Sequence, residues 1–136
     1  MTDLQSPPTE LGGPVELRVP PEPTMSRVLR LAASGVASLT GFTVAEIDDI
    51  KIGVSEVLIA LIEHGSGHPV EVRFTVDAEQ FVIDGSTQVE GAFDLDHPDL
   101  RLCRTVLAGV CTEHRIEHLD GAVRITAVLR RPFPAG

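Results

Sequence analysis

Tryptophan and tyrosine are absent from this 136-residue chain, which has five phenylalanines, two cysteines, and 11 basic residues against 20 acidic ones. So few rings leave little on which unpaired bases could stack. With a net charge of −9, the chain also lacks a basic face to release counterions from a phosphate backbone. Direct nucleic-acid binding is therefore not expected. No apolar run approaches the roughly 20 residues of a membrane span. The start of the chain, punctuated by Pro7, Pro8 and Pro14, has no basic segment leading into an apolar one. Neither a membrane anchor nor a secretory leader is expected, and the chain reads as cytoplasmic. Cys103 and Cys111 read as two positions of one helix, about 12 Å apart along its axis and beyond disulfide reach. A reducing compartment suits them as free thiols.

What is present is the composition of an ordinary soluble domain, with 43% hydrophobic and 23% charged residues. With so few aromatics the core must be mostly Val, Leu, Ile and Ala. The length fits one domain. Residues 1–13, with their Pro and Gly punctuation, read as a flexible tail, 14–131 as the domain, and 132–136 as a short C-terminal tail. An acidic chain suits a partner with a basic surface, although acidity serves solubility by default.

Val15, Leu17 and Val19 alternate with polar residues as in a half-buried strand, which Pro20-Pro21 ends. Thr24 is placed to cap a first helix whose apolar face is expected at Val28, Leu31, Ala32, Gly35, Val36 and Leu39. After Gly41, the spacing of Thr43 and Glu46 predicts a capping box. It opens a second helix with Ile47, Ile50, Val54, Val57, Leu58 and Leu61 buried, running to about His64 before Gly65. Alternation predicts a hairpin of Val70–Val76 and Gln80–Asp84. Residues from Gly85 to Pro98 show no period. A third helix over Asp99–Thr112 is expected to bury Leu100, Cys103, Val106, Leu107, Val110 and Cys111. The Asp120-Gly121 turn then joins two strands near Glu113–Glu117 and Ala122–Leu129. The order β-αα-ββ-loop-α-ββ predicts an α+β two-layer sandwich, with three helices on one face of a mostly antiparallel mixed sheet.

The run Ser55-Glu56-Val57-Leu58-Ile59-Ala60-Leu61-Ile62-Glu63-His64-Gly65 resembles the S-E-x-x-x-N-A-x-x-H-G helix of the anti-sigma-factor serine kinases. Glu56, His64 and Gly65 fall in register. The Val-Pro-x-x-P strand end, the Arg-bearing first helix and the Gly41-Phe42-Thr43 link are similar to that family too, over about Val15 to Leu129. The resemblance implies the histidine-kinase-like ATPase (Bergerat) fold, with ATP and Mg²⁺ as cofactors. It implies Glu56 as general base toward a substrate serine and an Asn as Mg²⁺ ligand. It further implies that Asp84 accepts a bond from adenine. Its partners would be a sigma factor and an anti-anti-sigma-factor protein, and the resembling kinases pair as homodimers.

The sequence departs from that pattern where the nucleotide would be held. Ala60 stands at the metal-ligand Asn. Asp84-Gly85-Ser86-Thr87-Gln88 stands for D-x-G-x-G, and Arg101-Leu102-Cys103-Arg104 for the second glycine box. These departures count against ATP and Mg²⁺ and favour a regulator that acts by protein binding. An active serine kinase is the alternative, and an unrelated α/β scaffold a further one. Glu56 is otherwise a solvated helix carboxylate and Asp84 a turn former. Arg27 and Arg30, ordinary surface charges by default, are the candidates for partner contact. The pairs His64/His68 and His114/His118 have metal-ligand spacing but sit at a helix end and on a strand, so no metal site is expected. Neither cysteine lies in an activating motif.

Overall fold

The computed structural model describes residues 11–132; the greater part of each expected tail, 1–10 and 133–136, lies outside them. The elements run β1 (Val15–Val19), α1 (Met25–Leu39), α2 (Val44–His64), β2 (Val70–Val76), β3 (Gln80–Gln88), α3 (Pro98–Val110), β4 (Glu113–Leu119) and β5 (Ala122–Arg130). The strands form one sheet in the order β1-β2-β3-β5-β4. Alternate residues along β2 and β3 are buried beneath the helices, and those between face solvent.

The expected sandwich is present, but its sheet is not mixed, since every neighbouring pair is antiparallel. The reason lies in the crossover through α3. It leaves β4 running in the same direction as β3, and β5 then inserts between them, so the two never share a ladder. The β4–β5 turn is tight, with Asp120 at φ 54° and Gly121 at φ 72°, the left-handed pair that two-residue hairpin loops require.

α2 lies centrally, flanked by α1 and α3 and packed on β2, β3 and β5. It buries Ile50, Val54, Val57, Leu58 and Leu61 as expected, together with Gly53 and Ala60. Under it, Phe74 and Phe81 pack at 5.5 Å between centroids, and Phe42 meets Phe81 edge-on at 5.7 Å.

Four expectations are corrected. First, α1 buries Leu29, Ala33, Val36 and Ala37, while Val28, Leu31 and Leu39 are 43%, 70% and 62% exposed. The apolar residues of α1 span one broad arc, and the core takes the side that holds Leu29, Ala33 and Ala37. Second, Thr24 occupies the N-cap position in helical conformation without a side-chain bond. Backbone carbonyls of Glu22, Pro23 and Thr24 take the first amides of α1 instead. Third, β3 continues past Asp84 to Gln88, because Gly85 and Thr87 sustain the buried alternation and pair with β5. Fourth, α3 ends at Val110, with Cys111 as an extended C-cap, because the chain must already be stretched to enter β4.

Candidate functional site

The capping box forms as expected: the Thr43 amide donates to Glu46 Oε1 at 2.8 Å and the Glu46 amide to Thr43 Oγ1 at 3.2 Å. It starts a helix of 21 residues. Glu56, Ala60 and Glu63 recur at helical spacing along one side, the side toward α3, where Cys103 Sγ lies 4.0 Å from the Glu56 carbonyl oxygen. Burial, and secondarily the Glu63 carboxylate, hold the Glu56 pKa above its ordinary value. The same burial, reinforced by Glu56, pushes the Cys103 thiol up to about 11. Cys111 is pushed up to about 12, again first by burial. Both thiols are free and stay protonated near neutral pH, so neither is an activated nucleophile.

Glu56 also borders a surface groove of about 690 Å³ between α1 and α2, lined by Arg27, Arg30, Leu31, Lys51 and Ile52 among others. Three residues singled out in the sequence thus meet in one place. Asp84 does not join them. It sits mid-strand on the solvent face of the sheet, where Arg124 Nε donates to Asp84 Oδ1 at 2.8 Å and Arg124 Nη2 donates to Asp84 Oδ2. That hydrogen bond raises the Arg124 pKa. Arg18, Arg73 and Ser86 share this groove of about 600 Å³ with Asp84. On the helix-facing side, the residue that follows the strand is Val89, 7% exposed. The D-x-G spacing of the resemblance recurs there as Val89-Glu90-Gly91, with Val in place of Asp.

His97 caps α3, its Nδ1 accepting from the Asp99 amide at 3.1 Å, and Pro98 follows. Arg101 to Arg104 lie inside the helix, with Arg104 Nη1 donating to the Leu95 carbonyl at 2.8 Å. Rings from the end of α2, the segment after β3, the N-cap of α3 and β4 meet here. His64 lies 4.9 Å from His97 and 6.2 Å from Phe93, and Phe93 lies 5.3 Å from His118. His68, the spacing partner of His64 in the sequence, instead bonds Glu90 Oε1 through its Nε2 at 2.8 Å. Sequence reasoning missed His97 and Phe93, because only the chain crossing joins them to His64.

The donor set for Mg²⁺ and ATP that the resemblance asks for is not assembled. Ala60 is 5% exposed and offers a methyl where a ligand oxygen is needed. Asp84 faces away, and α3 opens on imidazole and proline rather than on glycines that admit phosphates. Among the described residues, no helix is long and apolar enough to cross a membrane.

The family model described as the histidine kinase-like ATPase domain matches residues 19–123. Serine-protein kinase RsbW of Bacillus velezensis is 35% identical over 86 residues, covering 60% of this chain and 53% of that protein. RsbW of Bacillus licheniformis is 31% identical over 111 residues, covering 78% and 65%. The chain therefore spans about half the length of the first of these curated relatives, 53%. Among solved structures, the RsbU and RsbW domains of a Mycobacterium tuberculosis protein are similar in fold, with a TM-score of 0.66 at 17% identity. That likeness covers 87% of this chain and 32% of the other.

Proposed function

The chain belongs to the histidine kinase-like ATPase domain family, and from that membership we propose that it is an anti-sigma-factor-like regulator of the partner-switching type, acting by protein binding with weakened or absent ATP binding. Membership removes the reading as an unrelated scaffold. The observation that carries the proposal is Ala60, a buried methyl at the position of the metal-holding Asn on a helix that otherwise keeps Ser55, Glu56, His64 and Gly65 in register. Phosphoryl transfer rests on positioning and on neutralising phosphate charge, so a chain without that ligand loses a principal source of both. The partners are a sigma factor, an anti-anti-sigma-factor protein, or both. The groove that joins Arg27 and Arg30 to the exposed Leu31 and Ile52 offers apolar side chains within a rim of mixed charge, Arg27, Arg30 and Lys51 beside Asp48 and Glu56, for such contact. Self-pairing belongs to the same reading.

Isothermal titration with ATP and ADP, with and without Mg²⁺, tests this. The expected outcome is no Mg²⁺-dependent binding by the native chain and partial recovery in Ala60→Asn. Tight Mg²⁺-dependent ATP binding by the native chain would overturn the proposal.

One observation favours the alternative of an active serine kinase: Glu56 is retained, and its raised pKa brings a carboxylate nearer the range useful to a general base. That reading requires transfer of labelled phosphate to an anti-anti-sigma-factor protein and its loss in Glu56→Gln.

A further inference from the structure

His64 on one stretch of chain and His97 and Asp99 on another meet where α2 ends and α3 begins. His64 closes α2, His97 is the N-cap of α3, and Asp99 lies in the first turn of α3. One ligand atom from each lies within 4.8 Å of the other two, and both imidazoles are half-buried while the carboxylate is exposed. His97 Nδ1 accepts the Asp99 amide hydrogen at 3.1 Å. The neutral ring therefore carries a lone pair, not a proton, at that nitrogen. The same nitrogen lies 3.8 Å from Asp99 Oδ2, and the His64 ring meets the His97 ring at 65°, so the two do not stack face to face.

We propose that His64, His97 and Asp99 form a binding site for a divalent transition cation of the zinc class, with a fourth position open to water. Two imidazoles and a carboxylate suit such ions, whereas Mg²⁺ and Ca²⁺ take oxygen ligands. Ligand bonds of about 2.1 Å place tetrahedral donor atoms roughly 3.4 Å apart. The three groups therefore need to close by at most about 1.4 Å, within reach of χ rotation in half-buried and exposed side chains. The cation takes the place of the Asp99 amide hydrogen at His97 Nδ1. It lies at the C-terminal end of α2, where the helix dipole favours positive charge, and Asp99 offsets the opposite tendency at the N-terminus of α3. Phe93 packs edge-on to His64 and limits water on that side. An occupied site clamps the end of α2 to the start of α3, independently of whether the chain holds nucleotide.

The test is titration of the full chain with Co²⁺, followed by visible absorbance, and with Zn²⁺ against a chromophoric chelator. One ion per chain is expected, with Zn²⁺ raising the thermal midpoint of unfolding. His64→Gln and His97→Asn should each weaken binding at least about 100-fold, more than the loss of a supporting outer residue typically causes. Asn at 97 keeps an N-cap acceptor, so that variant separates ligation from helix capping. His114→Ala should bind as the native chain does. Absence of binding at millimolar metal, or affinity unchanged in both ligand variants, would overturn the assignment.

Discussion

Gly85 faces the helix layer from the middle of β3, where a Cβ would lie 2.6 Å from Val57 Cγ1 and 2.8 Å from Leu61 Cδ1. Both neighbours are fully buried on α2 and have little space to yield. Gly85→Ala is expected to destabilise by about 1–3 kcal/mol, the range for overpacking a tight core. Urea unfolding at unchanged m-value measures it, and an alanine variant as stable as the native chain would contradict the packing described. This residue also shows why part of the site was not legible in the sequence. A glycine after an aspartate reads as a turn, and only pairing with β5 reveals that the strand continues through it. Once the strand continues, Asp84 belongs to the solvent face with Arg124, and the helix-facing strand end falls to Val89. Ala60, by contrast, was legible, since the pattern it departs from runs within a single helix.

At the scale of elements, α2 is the one most fully specified by its own residues. Its start is a reciprocal pair of hydrogen bonds, and Ile50, Val54, Val57, Leu58 and Leu61 are buried as their spacing predicts, while Val44 and Ile52 stay exposed. Thr43→Ala removes the acceptor of the Glu46 amide and is expected to cost about 1 kcal/mol. The thermal midpoint should fall by about 3–6 °C, with Thr43→Ser close to the native value. A midpoint unmoved by the alanine would mean that the box contributes nothing to stability. α1 is the opposite case. Its apolar residues span one broad arc of the helix, and periodicity alone cannot say which side of that arc the core accepts. Packing admits Ala33 and Ala37 with Leu29 and Val36, and leaves Leu31 and Leu39 to solvent. The exposed stripe, beside Arg27 and Arg30, is thus a property of the assembled helix pair.

At the scale of the whole molecule, the end of β5 is tied to the α1–α2 link. Arg131 is buried, its Nη2 donates to the Thr40 carbonyl at 2.8 Å, and its guanidinium lies 3.7 Å over the centre of the Phe42 ring. Burial lowers the Arg131 pKa, while Glu46 and Asp77 oppose the shift. Arg131→Met keeps the apolar stem but loses the charged hydrogen bond, for an expected cost of about 1–3 kcal/mol. Combined with Phe42→Leu, it should be less than additive by about 0.5–2 kcal/mol, as expected for a desolvated cation–π contact. Strict additivity in chemical denaturation would argue against that coupling. The sequence by itself determined the number and order of the elements, the capped central helix and the hairpins. Each of these follows from spacing over a few residues. Only the tertiary structure decided the insertion of β5 between β3 and β4, the buried stripe of α1, the face that Asp84 occupies, and the meeting of His64, His97 and Asp99. These depend on contacts between segments far apart in the chain, which no local period encodes.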